Sequence, residues 1–245
     1  MNRIVKEFKK YVKQFDISDF NIKRKIHHSL RVMKLSKLIS KREKFSKEDI
    51  ELATLIGLLH DYARFLQWTK YKTYSDMESV DHGDLASEML FKNRDIEKFS
   101  FDKENYYIMD NAIKNHNKFE YSHKIDYKSI IHSDLIRDTD KLDIFYIFSK
   151  GILKHNCNYN VSDYIKKLFF ENKLIKYKDV KNDSDRIILT LSMVYDINYK
   201  ESLKHLKKKN YIWKFYNKLN NKEKYFEYFK HIDNYLEERL KQNVR

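Results

Sequence analysis

His60 and Asp61 stand side by side in GLLHDYARFL, residues 57–66, a stretch otherwise apolar enough for the middle of a core helix. An imidazole beside a carboxylate can exchange a proton, accept hydrogen bonds or ligate a divalent cation. The dipeptide alone says little, because this composition would produce about one by chance. Its setting says more. Ala53, Ile56 and His60 share one helical face, with Leu52, Leu55 and Leu59 beside it, so the ring is aimed at the core or at a cavity within it.

The same pattern recurs along the chain. His28 shares a face with Val32, Leu35 and Ile39; His82 precedes Leu85, Ala86 and Met89; His116 follows Met109, Ala112 and Ile113; Asp140 lies between Ile136 and Ile144. Each of these has an ordinary structural explanation when taken alone. Two Asp and four His inside one core, however, require a shared compensating charge, because an unpaired buried carboxylate costs several kcal/mol. One divalent metal ion, or a pair of them, would supply it. His123, His132, His155, His205 and His231 have polar or charged neighbours and read as surface or structural, and His27 points about 100° away from His28 on a helix.

The elements that must hold these residues are helices. The 245 residues contain no Pro and only three Gly, which removes the punctuation of hairpins and of glycine-rich phosphate loops. Helical spacing places elements at about 3–15, 22–42, 46–62, 80–92, 102–117, 128–149, 160–172, 183–196, 199–208 and 221–241, with 67–78 as a loop. Ser46 followed by Asp49 reads as a capping box. A core over residues 1–150 and an aromatic-rich extension over 151–245 packed on it, divided near Gly151, is the expected organisation. In that extension Trp213, Phe215, Tyr216, Tyr225, Phe226, Tyr228 and Phe229 recur at helical spacing, as core or interface aromatics do.

Apolar residues at 42% favour a folded domain, and no stretch approaches a membrane span or signal peptide, so a cytoplasmic protein is expected. Cys157 is the single cysteine, which excludes an intrachain disulfide framework and a thiolate cluster. The net charge of +14 suits phosphorylated partners. Its dispersal, apart from Lys207–Lys209, does not favour nucleic acid.

In order, these residues resemble the HD superfamily of metal-dependent phosphohydrolases, whose pattern is a His, an adjacent His-Asp pair and a later Asp. HSLRV at 28–32, GLLHDYARF at 57–65, SVDHGDLASEML at 79–90, AIKNHN at 112–117 and RDTDKLDIF at 137–145 carry the likeness over residues 26–148. It implies an HD-domain helical bundle with a C-terminal helical extension. It implies one metal held by His28, His60, Asp61 and Asp140, a bridge from Asp61 to a second, and His82 and His116 as ligands of that second ion. Asp138 and Asp143 are the alternatives for orienting a ligand, and substrate contact is the alternative for His82 and His116.

The chemistry implied is phosphoester hydrolysis by a metal-activated hydroxide, with Asp61 as the central catalytic group. Arg64 and Lys141 would bind substrate phosphate. The ions would be Fe, Mn, Co, Ni or Zn, which the ligand types do not distinguish. A small phosphorylated substrate such as a nucleotide is expected. The absence of a Gly-Tyr-Pro element after His116-Asn117 argues against cyclic dinucleotides. An HD-type mixed-valent diiron oxygenase and a non-catalytic nucleotide-binding regulatory module are the competing readings, and the residues leave the oligomeric state open.

Overall fold

A computed structural model of the chain describes residues 2–121, 125–152 and 159–242, so that His123, His155 and Cys157 lie outside the described residues. Every regular element among those residues is helical, as the want of Pro and Gly predicts. No described helix is long and apolar enough to cross a membrane. Two compact units are formed, Met1–Thr139 and Asp140–Arg245.

The first unit contains α1 (Asn2–Val12), α2 (Phe20–Arg42), α3 (Lys47–Leu59), α4 (Arg64–Tyr71), α5 (His82–Ser87) and α6 (Tyr106–Asn115). The next helix, α7 (Tyr127–Ser149), carries the chain out of it between Thr139 and Asp140. Helix α3 is central. Every residue from Leu52 to Leu59 is buried, and a helix that is apolar on all sides belongs inside a core. Fully burying each such Leu or Ile contributes about 1.5–3 kcal/mol, which anchors this helix more firmly than its propensity could. Its start is set by the box foreseen at Ser46, whose Oγ accepts from the Asp49 amide at 3.0 Å.

Helix α3 stops at Leu59, where residues 60–63 form a turn instead of continuing the helix. The turn is held from outside. Tyr11 stacks on Tyr62 at 3.8 Å between ring centroids and donates its hydroxyl to the Tyr62 carbonyl at 2.8 Å. The expected loop at 67–78 is corrected in its first part, because residues 67–71 belong to α4. Gln67 explains the disagreement: it is completely buried yet polar, so it interrupts the apolar stripe from which a helix would be read.

Gly57 brings α2 and α3 together one turn before His60. A Cβ there would stand 2.5 Å from Ser36 Oγ and 3.1 Å from Met33 Cα, and Ser36 Oγ is itself held by Thr139 Oγ1 at 2.9 Å. The helices therefore meet at a point where only a hydrogen atom fits.

In the second unit the described helices after α7 are α8 (Asp163–Phe170), α9 (Asp183–Ser192), α10 (Lys200–Lys209), α11 (Tyr211–Tyr216) and α12 (Phe226–Lys241). The spans foreseen at 183–196 and 221–241 each contain a tighter turn, at Met193–Asp196 and Lys222–Tyr225. Helix α11 was not foreseen, being short and set off from α10 by Asn210 in the left-handed region. Phe215, Tyr225, Tyr228 and Phe229 are buried, which makes them core, while Phe226 is exposed. Lys207 of the basic run pairs with Glu237 at 2.7 Å.

Gly57→Ala is expected to lose about 1–2 kcal/mol of stability, because overpacking outweighs the gain in helix propensity. Urea unfolding followed by circular dichroism measures this, and a midpoint equal to or above that of the native chain would contradict the close-approach argument.

Candidate metal centre

Asp61 sits in the turn after α3 and is 2% exposed. On a continuous helix its side chain would diverge by about 100° from that of His60. In the turn, His60 Nε2 and Asp61 Oδ2 lie 3.5 Å apart, so the break brings the neighbours onto one centre. The two carboxylate oxygens face different partners. Oδ2 meets His28 Nε2 at 3.2 Å as well as His60, whereas Oδ1 meets His82 Nε2 at 3.5 Å and His116 Nε2 at 3.9 Å. Within each pair the imidazoles meet nitrogen to nitrogen, His28 with His60 at 3.1 Å and His82 with His116 at 3.0 Å.

The other ring nitrogen decides what those contacts mean. His60 and His116 are the residues that follow the last turns of α3 and α6, where helix carbonyls lack intrahelical partners. His60 Nδ1 donates to the Gly57 carbonyl at 3.0 Å and His116 Nδ1 donates to the Ile113 carbonyl at 2.6 Å, each three residues back. His82, the first residue of α5, pairs through Nδ1 with Asp76 Oδ2 at 2.6 Å. With Nδ1 carrying the proton, Nε2 of a neutral ring presents a lone pair. His82 and His116 thus aim two lone pairs at each other and at a carboxylate oxygen.

A cation would satisfy such an arrangement. A proton on one ring is the alternative, but burial and then the nearby Arg64 push the His82 pKa below its usual value, against the pull of Asp76 and Asp61. Nitrogen separations of 3.0–3.1 Å are those of neighbouring ligands on one ion with bonds of about 2.1 Å. One ligand atom from each of His60, Asp61 and His116 lies within 4.8 Å of the others. The donor set, imidazole and carboxylate without thiolate, fits a divalent transition metal.

Around this centre lies a second layer that sequence reasoning missed. Burial raises the Asp61 pKa, but the Lys25 ammonium beside it holds the carboxyl well below the usual range. Lys25 Nζ stands 2.6 Å from Asp61 Oδ2. Asp76 orients His82 and is itself held by Arg64 Nη1 at 2.9 Å, Gln67 Nε2 at 2.9 Å and Asn117 Nδ2 at 3.1 Å. Against burial, which raises it, the His82 bond and Arg64 keep Asp76 ionised. Lys25 had one available signal, its place one turn before His28 on α2. Asp76 had none, because it opens a single 3-10 turn, Asp76–Glu78, too short to show a period. Gly83 secures the neighbourhood: a Cβ there would come within 2.8 Å of the Lys114 carbonyl, so α5 can approach α6 only without one.

Arg64, expected to bind substrate phosphate, opens α4, and its Nε reaches Asp61 Oδ1 at 3.4 Å. Its Nη1 also donates to Gln67 Oε1 and the Tyr74 carbonyl, both at 2.7 Å, so it braces the site. Asp140 is half-buried on α7 and directly follows Thr139, the residue bonded to Ser36. Asp138 and Asp143 on the same helix are buried. Lys141, in the second unit, pairs with Asp196 Oδ2 at 2.5 Å and donates to its carbonyl at 3.1 Å. His132 is buried against Asp49 at 3.2 Å and His231 bonds Asn172 at 2.8 Å, both structural contacts.

An all-α domain whose helix ends gather imidazoles about a His-Asp turn is the architecture of a metal-dependent phosphohydrolase domain. The HD domain family model matches residues 26–188, two thirds of the chain, and the protein belongs to that family. Its members are mostly metal-dependent hydrolases. No curated protein and no solved structure matches the chain.

Asp76→Ala removes the partner of His82 Nδ1 and is expected to weaken metal affinity by about 10–100-fold while the fold persists. Competition with a chromophoric chelator measures it, and an affinity unchanged within twofold would remove Asp76 from the centre.

Proposed function

We propose that the protein is a two-metal phosphohydrolase acting on a nucleotide or another small phosphate ester. The observation that carries this reading is Asp61, whose Oδ2 faces His28 and His60 while Oδ1 faces His82 and His116. A carboxylate set between two imidazole pairs is the arrangement of a bridging ligand. His28 and His60, with Asp140 as the expected further ligand, would hold one ion, and His82 and His116 the other.

When bound, the ions would act as Lewis acids and lower the pKa of water toward neutrality. The chain's own residues have separable tasks. Asp61 stays ionised and spans the two pairs. The Nδ1 bonds of His60, His82 and His116 keep Nε2 free of its proton and fix the ring planes. Arg64 and Lys25 place positive charge beside Asp61, where charge on phosphoryl oxygens would develop during transfer to water. Water would donate the oxygen to phosphorus and the alcohol would leave with a proton.

The metal-reconstituted chain is expected to release phosphate or a nucleotide from a member of a broad phosphoester panel, with Asp61→Asn at least a thousandfold slower. Elemental analysis should find two ions per native chain and one in His82→Ala and in His116→Ala. One ion throughout would refute the dinuclear assignment. Inactivity with every metal and ester, or full activity of Asp61→Asn, would refute hydrolysis.

A further inference from the structure

Three cations surround one aromatic ring beside Asp61. Arg24 and Arg64 place their guanidinium carbons 5.6 Å from the Tyr74 ring centroid, and Lys25 Nζ lies 5.4 Å from it. The ring is fixed from below, since the Tyr74 hydroxyl donates to the Asn21 carbonyl at 3.0 Å and Trp68 packs against it at 5.0 Å. Two of the cations have acidic partners: Lys25 pairs with Asp61, and Arg64 with Asp61 and Asp76.

Arg24 differs. Among the described residues it has no carboxylate partner; it donates from Nη2 to Asn21 Oδ1 at 3.4 Å, and its Nε is buried with no hydrogen-bond partner. Burial works most strongly against the guanidinium; Tyr74 and Asp61 oppose it, and the like charge of Arg64 adds to it least. Leaving the buried Nε–H of a charged group without an acceptor is costly, more so with two other cations on the same ring. An anion brought to this place would relieve all of it, and the planar fork of Arg suits the oxygens of a phosphoryl group.

We infer that Arg24, Lys25, Arg64 and Tyr74 form a phosphoryl-binding subsite of the centre, taking a phosphoryl group of the substrate other than the one attacked. The inference rests on the hydrolase reading and narrows it to esters with at least two phosphoryl groups. Arg24 is the specificity residue, since Lys25 and Arg64 also serve Asp61. Lys25 links the subsite to the centre, touching the Asp61 carboxylate with the ammonium that sits by the Tyr74 ring.

Calorimetric titration of the metal-loaded full-length chain with inorganic phosphate and with imidodiphosphate, a non-hydrolysable diphosphate, tests this. Metal content is measured before and after each titration. Imidodiphosphate should bind at least tenfold tighter than phosphate, and Arg24→Ala should remove that advantage while leaving phosphate affinity within twofold. Arg24→Lys, which keeps the charge but lacks the Nε–H, should show an intermediate loss, and it decides the matter if Arg24→Ala fails to fold. Lys23→Ala, an exposed charge next to Arg24 on α2, should bind as the native chain does. Equal affinity for the two anions, or an equal loss in Lys23→Ala and Arg24→Ala, would overturn the subsite. Those results would leave the hydrolase reading intact, because that reading stands or falls on turnover and on Asp61→Asn.

Discussion

The buried carboxylate of Asp61 is the constraint on which the first unit is organised. A carboxylate at 2% exposure must be protonated, paired or ligated, and its surroundings exclude the first. Lys25, Arg64 and four imidazoles approach it from α2, α4, α5, the end of α3 and the end of α6. Each of these groups would itself be expensive to bury alone. Together they form a charge-balanced interior that is complete when a cation takes the converging lone pairs.

Helix ends make this convergence possible. His60 and His116 each follow a helix and turn Nδ1 back to a carbonyl that the helix has left without an amide partner. One hydrogen bond thereby completes the backbone accounting and chooses the tautomer. Glycine at 57 and at 83 lets the helices approach closely enough for rings on different elements to reach one carboxylate. Helix packing, hydrogen-bond satisfaction and ligand geometry are thus met by the same few residues. A substitution at Gly57 would be felt at His60 one turn away.

The outer layer adds direction. Asp76 holds His82 from one side, and Arg64, Gln67 and Asn117 hold Asp76. The chain between α4 and α5 contributes to the site although it has little regular structure, because it supplies both Asp76 and Tyr74. Beside Asp61, Tyr74 gathers Arg24 and Lys25 of α2 and Arg64 of α4 about one ring, which concentrates positive charge there.

Much of this was legible in the residues. Their apolar periodicity and the near absence of Gly and Pro require helices, and polar residues recurring on apolar faces identify His28, His60, His82 and His116 as interior groups. Helix α4 was obscured by Gln67, a buried polar residue whose hydrogen bonds replace the apolar contact that periodicity detects. Asp76, Asn117 and Tyr74 could not be read, since residues in single turns and irregular chain have no period to betray where they point. By itself the sequence determined the helical class and which side chains must be buried, because both follow from local spacing and the cost of exposing apolar surface. Only the tertiary structure decided that the helix breaks at His60, that each oxygen of Asp61 faces its own imidazole pair, and that Arg24 has no carboxylate partner among the described residues. Those facts depend on distances between residues far apart in the chain, which close packing alone sets.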